Sequence, residues 1–385
     1  MDNHSLIRYA MISQLAAWTG AALFIPTIPL FLRHLHASDV EIGYYTAATL
    51  ISLSFGPMLI GWLSDRLHVR DRLVVLCYAL QAPIAYLMGE TENLVLVCLL
   101  NIGLWTFGAS SINLTRAIVA LNFAREDRNR AFARLAVTSP IAFVIGGLAG
   151  GRIVEAMGYP GLFKIMSACW IVAMLSALGV RDRYVPPASS REEQGSISTP
   201  LILFCCAMFL QSLAFQWSEI GLPLRLKDLE YSLPFITSMY SVSSLVSIPF
   251  AILAGRYGGR IGNLNLLVGG LVMFSLTRFG LSALTSEYQI VGLQMITGIP
   301  AAFAHSIAAA VMAGLGPDRT VGRRMSLMMM SGGIGGALGG VAGGYLLESY
   351  GPVGLLLSSG IGLMCAAAFM RLFVVDPDQL GETEQ

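Results

Sequence analysis

Apolar segments of helix length, repeated along the whole chain, constrain the fold more than any other feature of this sequence. Twelve such runs occur, separated by polar connections, in a chain that is 55% hydrophobic and 12% charged. About 20 apolar residues suffice to cross the hydrocarbon core of a bilayer as an α-helix. The runs are much longer than the alternating segments of about ten residues that build membrane barrels. The sequence therefore predicts an all-α membrane protein with twelve transmembrane helices.

The longest polar stretch divides these runs into two equal groups. The runs lie near residues 7–32, 41–63, 73–89, 94–120, 131–157, 161–180, 201–226, 234–254, 264–284, 288–312, 325–347 and 352–375. Residues 181–200 contain Pro186 and Pro187 and are rich in serine and glutamate, which is typical of a linker. We therefore predict an N-terminal six-helix bundle at 1–180, a cytoplasmic linker at 181–200 and a C-terminal six-helix bundle at 201–385.

Basic residues are distributed unevenly over alternate connections. If both termini are cytoplasmic, 17 basic residues lie on inner segments and five on outer segments. Because arginine and lysine accumulate in cytoplasmic loops, we expect a multi-pass protein of the inner (cytoplasmic) membrane with both termini inside. A net charge of +1 gives no reason to expect a nucleic-acid partner. The six cysteines lie within apolar runs and lack metal-ligand spacing, so neither a metal nor a cofactor is expected.

A glycine-rich motif occurs once in each half of the chain. The sequence GGLAGG at 146–151 recurs as GGVAGG at 339–344, and a glutamate and two glycines follow both copies at the same spacing. Each copy lies in the fifth helix of its predicted bundle, which indicates a parallel repeat about an axis normal to the membrane. Small residues allow close helix approach. These helices either pack the two bundles together during a conformational change or serve ordinary helix packing alone.

The charged hairpin at 61–73 resembles the loop 2–3 motif of the major facilitator superfamily, G-x-L-A-D-R-x-G-R-K-x-x-L. The matching residues are Gly61, Leu63, Asp65, Arg66, Arg70 and Leu73, whereas Ser64, His68 and Val69 depart from the motif. A partial copy at 255–262 keeps Gly255, Arg260 and Gly262 but has Gly259 where the acid would stand. With the twelve runs and the repeat, the resemblance covers essentially the whole chain. Helix 5 resembles the glycine-rich fifth helix of drug and sugar exporters without their Gly-Pro step, and short matches in the second half look like bacterial sugar efflux transporters.

The resemblance implies a conformational latch at Gly61, Asp65, Arg66 and Arg70. In the family, the acid of this loop faces the positive end of the eleventh helix, a favourable place for a carboxylate. That helix begins near Arg324 in this sequence. The contact would hold the cytoplasmic side shut. The alternative is a solvated charge cluster that only sets the topology.

The resemblance also implies that helices 1, 4, 7 and 10 line a substrate cavity near the bilayer midplane. Each carries polar and aromatic residues at helical spacing, and the substrate-binding candidates are Gln14, Trp18, Asn101, Trp105, Asn113, Arg116, Gln211, Phe215, Gln294 and His305. Amides with indoles suit a neutral, hydroxylated or amphipathic ligand. Hydrogen bonding between helices is the alternative for each amide, and anchoring at the inner end of the helix is the alternative for Arg116.

Three ionisable residues inside apolar runs are candidates for proton coupling: Glu219, Arg278 and His305. Ionisable groups in membrane helices frequently mark proton or substrate pathways. The structural alternatives are an anchor at the membrane surface for Glu219 and a packed imidazole for His305. No carboxylate lies deep in the first half, where many proton-coupled drug exporters keep one.

These observations favour a secondary active transporter that exports a small sugar or an amphipathic drug-like molecule by alternating access, with protons as the candidate exchange ion. An uptake symporter or facilitator of the same fold is the alternative, because fold does not determine direction. A multipass membrane enzyme is a distant alternative, since no catalytic cluster is evident. The expected partners are a small-molecule substrate and the lipid bilayer, and the resemblance implies a monomer.

Overall fold

A computed structural model describes residues 3–67, 69–123, 125–182, 198–315 and 321–374. The helices are α1 (Asn3–Phe24), α2 (Ile28–His34), α3 (Asp39–Leu67), α4 (Arg70–Glu90), α5 (Leu94–Asn122), α6 (Arg125–Ala136), α7 (Thr138–Ala177), α8 (Thr199–Asp228), α9 (Leu233–Ile261), α10 (Asn263–Ala283), α11 (Glu287–Gly314) and α12 (Val321–Phe373). Within some helices only the backbone is described, including at Asp65 and His305. The predicted helices 1, 4, 7 and 10 correspond to α1 with α2, α5, α8 and α11.

Helical segments long and apolar enough to cross a membrane make up most of the described chain. Nine meet both conditions within the described ranges. Large apolar side chains point outward from them: Leu99 and Leu276, for example, are 61% and 58% exposed. In water such exposure would be costly, whereas hydrocarbon accommodates it at no cost. The predicted all-α membrane architecture is therefore confirmed, while the number of twelve spans stays a prediction.

Two of the long helices bend sharply at equivalent positions of the sequence repeat. Gly158 in α7 has φ 69° and ψ 179°, and Gly351 in α12 has φ 66° and ψ −175°. Only glycine adopts this backbone region readily, and a proline follows each glycine within two residues. Each bend divides its helix into two arms, so that α7 contains parts of the fifth and sixth predicted helices and α12 parts of the eleventh and twelfth.

The chain divides into two compact units that exchange short segments. One unit comprises Met1–Ala37, Ile51–Glu192 and Ser232–Ser241, and the other comprises Ser38–Leu50, Glu193–Tyr231 and Val242–Gln385. Consequently α3 begins in the second unit and ends in the first, and α9 does the reverse. The predicted linker falls largely outside the described residues, so the predicted bundle boundaries stay predictions.

Each unit has its own apolar core. In the first unit, the rings of Phe24 and Phe31 pack on Phe163 with centroids 4.9 and 5.1 Å apart. These contacts join α1, α2 and the second arm of α7. In the second unit, Phe204 of α8 and Met370 of α12 belong to one buried cluster that also includes residues of α10 and α11.

Glycines of α7 bring two neighbouring helices into direct backbone contact. On one side, a Cβ added to Gly150 would lie 2.6 Å from the carbonyl oxygen of Leu23 in α1. On the other side, a Cβ added to Gly151 would lie 2.5 Å from the backbone of Leu233 in α9. The Gly151 N–H donates to Thr237 Oγ1 at 3.2 Å. A side chain of any size would separate α7 from both neighbours.

The repeated glycines of α12 form the same two-sided packing in the second unit. On one side, the carbonyl of Gly339 accepts a hydrogen bond from Trp217 Nε1 of α8 at 3.0 Å. On the other side, Gly340 faces Gly43 of α3, and a Cβ on Gly43 would lie 2.6 Å from the Gly340 oxygen. The sequence repeat therefore encodes one packing arrangement twice: α7 between α1 and α9, and α12 between α8 and α3.

We expect Gly351→Ala to lower stability by about 1–3 kcal/mol, because alanine is strained in this backbone conformation. The space around Gly351 is open, so the effect is one of backbone strain rather than of a clash. Gly292→Ala in α11 is the matched control: its surroundings are also open and its conformation is helical, so stability should be kept or raised. Thermal unfolding of the purified variants measures both effects, and equal stability of the two would contradict the strain at Gly351.

Candidate functional site

The predicted binding residues of α1 contact two neighbouring helices of the first unit. Gln14 is completely buried, and its Nε2 donates to the Ile112 carbonyl of α5 at 3.5 Å. One turn further, the indole of Trp18 lies 6.3 Å from the ring of Phe143 in α7. The buried Gln14 Oε1 and Trp18 Nε1 make no hydrogen bond among the described residues. Both side chains thus present an unused polar atom inside the unit.

The four predicted residues of α5 differ in exposure. Asn101 and Trp105 are buried, Asn113 is half-buried and Arg116 is exposed. Within the described part of the chain, the buried Nε1 of Trp105 has no acceptor. The structure therefore groups the first two with the interior of the unit and leaves Arg116 at its surface.

Two polar residues of α4 join this interior group, although the sequence did not single them out. Tyr78 is completely buried, and Gln81 Nε2 donates to the Leu104 carbonyl of α5 at 3.4 Å. The available signal was an amide and a phenol one turn apart inside an apolar run. The resemblance implies a cavity lined by predicted helices 1, 4, 7 and 10, whereas α4 corresponds to predicted helix 3, so neither residue was among the candidates.

In the second unit, two buried glutamines have carbonyl oxygens without a hydrogen-bond donor. Gln211 of α8 and Gln294 of α11 are 8% and 3% exposed. Among the described residues nothing donates to Oε1 of either side chain. A buried polar group left unpaired costs about 1–3 kcal/mol. These two oxygens are accordingly positions where a ligand hydroxyl or N–H would gain a hydrogen bond.

An aromatic contact joins the predicted binding residue Phe215 to the predicted coupling residue Arg278. The rings of Phe215 and Phe274 meet edge to face at 5.6 Å, and the guanidinium carbon of Arg278 lies 5.5 Å from the Phe274 centroid. Arg278 is buried, and a cation over an aromatic face is stabilised when water is excluded. Phe274, which the sequence did not single out, therefore links α8 with a buried charge on α10.

The remaining candidates of this unit are less completely defined. Glu219 is half-buried on α8, eight residues after Gln211 on the same helix face, and it has an interaction partner. His305 lies in α11, but its side chain is outside the described part of the structure. Its predicted roles in binding and coupling stay predictions.

Arg70 of the charged hairpin forms an ion pair with Asp182, a residue that the sequence analysis did not single out. Arg70 Nη1 lies 3.3 Å from Asp182 Oδ2, and both side chains are largely buried. Asn122 Nδ2 at the end of α5 donates to the other oxygen, Asp182 Oδ1, at 2.9 Å. Asp182, which follows α7, thereby connects the start of α4 with the end of α5. Asp182 escaped notice because it was assigned to the linker.

The other latch residues make fewer defined contacts. Arg66 lies over the Trp62 indole at 5.4 Å, one turn away on α3. The space around Gly61 is open. The side chain of Asp65 lies outside the described residues, so its predicted contact with the eleventh helix stays a prediction.

Long apolar helices, with buried amides and indoles whose polar atoms are unused, are typical of a polytopic membrane transporter. The model of the MFS_1-like family matches residues 16–356. The chain therefore belongs to this family of the major facilitator superfamily, whose members are transporters and not enzymes. The predicted resemblance and class are confirmed, and a small-molecule substrate and a lipid environment follow from them.

Solved structures of transporters have the same fold. The chain is similar to a mutant of the nucleoside transporter NupG, with a TM-score of 0.80 and 16% identity over 96% of this chain and all of that chain. It is also similar to the POT family transporter PepTSo, with a TM-score of 0.77 and 13% identity over 100% of this chain and 99% of that one. At this level of identity, the likeness concerns the fold alone.

Relatives at the sequence level carry the name multidrug resistance protein MdtG. The protein of Klebsiella pneumoniae (strain 342) is 27% identical over 73% of this chain and 72% of its own length. The protein of Salmonella choleraesuis (strain SC-B67) is 24% identical over 86% of this chain and 87% of its own. The match thus extends through most of both chains.

We expect Gln211→Met and Gln294→Met to leave the free energy of unfolding unchanged or slightly raised, because each removes a buried oxygen that has no donor. Gln81→Met is the matched control: its Oε1 also has no donor among the described residues, but the substitution in addition breaks the bond from its Nε2 to the Leu104 carbonyl. It should cost about 1 kcal/mol. Chemical unfolding of the purified variants tests this order. A loss for Gln211→Met or Gln294→Met as large as that for Gln81→Met would show that those amides are structural.

Proposed function

We propose that this transporter exports amphipathic drug-like molecules across the bacterial inner membrane by alternating access, with both termini in the cytoplasm. The observation that carries the proposal is the set of buried amides and indoles with unused polar atoms, on α1, α5, α8 and α11. Neutral donors and acceptors between aromatic surfaces suit a ligand that combines apolar area with a few polar groups. The relatives named as multidrug resistance proteins support the same substrate class. A small sugar, which also needs amide partners, is the second candidate.

The glycine contacts supply a mechanism for alternating access. Each contact couples helices from opposite halves of the sequence: α7 with α9, and α12 with α3. Close backbone packing at glycines buries little side chain, so two helices can part and meet again without repacking a core. We take these two helix pairs as the places where the predicted six-helix bundles close on one another. The repeat explains why both pairs use equivalent glycines.

Transport into inside-out vesicles tests substrate class and direction together. Cells or vesicles containing the protein should move cationic amphipathic dyes outward with respect to the cytoplasm, and sugars should not compete. Gln211→Met and Gln294→Met should each weaken substrate affinity about five-fold, the effect of one lost hydrogen bond. Gln289→Met, which removes an exposed glutamine of the same helix as Gln294, should keep its affinity. Uptake in right-side-out vesicles, or competition by sugars, would contradict the proposal.

Protons are the proposed exchange ion, with Glu219 as the proposed carrier. A partly buried carboxylate on the same helix face as Gln211 can take up a proton at one side of the membrane and release it at the other. In liposomes containing a pH-sensitive dye, addition of substrate should move protons, and Glu219→Gln should abolish this movement while substrate still binds. Glu287→Gln, which neutralises an exposed glutamate in the first turn of α11, is the matched control and should leave proton movement unchanged. Undiminished proton movement in Glu219→Gln would exclude this residue as the carrier.

The proposed latch rests on Asp65, with Gly61, Arg66 and Arg70 as its supporting residues. The ion pair of Arg70 with Asp182 supports it, because it fixes the start of α4 beside the hairpin. Asp65→Asn removes the carboxylate but keeps the side-chain volume, and it should shift the population away from the conformation closed on the cytoplasmic side. Spin labels at the end of α3 and at the start of α12, both expected on the cytoplasmic side, would report this as a longer distance. An unchanged distance distribution would leave the hairpin as a topology signal.

A further inference from the structure

A cavity of about 670 Å³ lies at the beginning of α1, away from the proposed substrate residues. It is lined by His4, Ile7, Arg8, Met11 and Arg134. The first four share one face of α1 at helical spacing, and Arg134 belongs to the last turn of α6. Two helices that are distant in the sequence thus bring two guanidinium groups and one imidazole to the same space.

The two arginines have no counter-charge within the described part of the chain. Both side chains are exposed, and neither makes a hydrogen bond or ion pair with a described residue. Guanidinium groups stay charged at any physiological pH, so two of them around one cavity repel each other. An anion between them would offset this repulsion and could accept paired N–H bonds from each, the geometry in which arginine recognises phosphate.

The apolar part of the lining distinguishes a lipid from a free anion. Ile7 is buried and Met11 is half-buried beside the charged groups. The cavity also lies at the end of a helix long and apolar enough to span a membrane. At such an end the helix passes from hydrocarbon into the headgroup layer, where lipid phosphates are located. Basic pockets between membrane helices are known to bind anionic headgroups.

We propose that this cavity binds the phosphate of an anionic phospholipid between Arg8 and Arg134, with the adjoining acyl chain against Ile7 and Met11. His4 adds a further hydrogen-bond donor at the rim. The lipid would tie the first turns of α1 to α6. Because α1 also carries Gln14 and Trp18, the anchored lipid would fix the end of a helix that contributes to the proposed substrate site.

Native mass spectrometry of the full-length protein, titrated with phosphatidylglycerol or phosphatidylcholine, tests the site. We expect tighter binding of phosphatidylglycerol. Each of Arg8→Gln and Arg134→Gln should weaken that binding about five-fold, and the double variant about 25-fold, the effect of losing one or two basic contacts to an anionic lipid. Arg72→Gln removes an equally exposed arginine at the start of α4 and should bind as the wild type does.

Three results would overturn the proposal. Equal affinity for both lipids would remove the requirement for an anionic headgroup. A loss in Arg72→Gln as large as in Arg8→Gln would show that surface charge in general, and not this cavity, attracts the lipid. Inorganic phosphate that raises the melting temperature as much as phosphatidylglycerol, with the same dependence on Arg8 and Arg134, would identify a free anion as the ligand.

Discussion

In hydrocarbon, a backbone N–H or C=O without a partner costs several kcal/mol, and every other feature of this structure depends on that cost. It forces the apolar runs into helices. It also acts on short polar side chains, which return to their own helix: Thr115 donates to the Ser111 carbonyl and Thr277 to the Phe274 carbonyl, both at 2.8 Å. Glutamine and tryptophan are too long to bond in this way. Several of them therefore keep polar atoms unused among the described residues, and these side chains form part of the proposed substrate site.

Close packing of these helices depends on glycine rather than on interlocking side chains. Lipid tails are as apolar as leucine, so helices in a membrane gain little by burying leucine against leucine. At Gly150, Gly151, Gly339 and Gly340 the helix backbones come into direct contact, and the van der Waals attraction of this close packing stabilises the helix pairs instead. The same positions recur in both halves of the sequence. One packing arrangement, encoded twice in the sequence, therefore accounts for both glycine-packed helices, including their bends at Gly158 and Gly351.

The arginines of this chain occur in three different environments, and each environment implies a different role. Arg70 is paired with Asp182 and joins helix ends, which is a structural task. Arg278 lies over Phe274 inside the second unit, where a charge is costly, and this is the reason to consider it a coupling candidate. Arg8 and Arg134 face a shared cavity whose described lining contains no carboxylate, and the proposed ligand there is an anion from outside the protein. What lies opposite each arginine therefore separates a structural ion pair from the proposed roles in coupling and in lipid binding.

The sequence by itself determined the helical membrane class, the family resemblance, the half-chain repeat and the candidate residues Gln211 and Gln294. It did so because helix length, glycine spacing and polar residues within apolar runs are local properties of the chain. Only the tertiary structure decided which polar atoms stay unused, since that depends on neighbours such as Ile112 beside Gln14. Tertiary structure alone also revealed Asp182 as the partner of Arg70, Phe274 between Phe215 and Arg278, and the cavity shared by Arg8 and Arg134. These contacts join residues about 60 to 130 positions apart in the sequence. The spacing of residues within one helix does not specify which other helix it packs against.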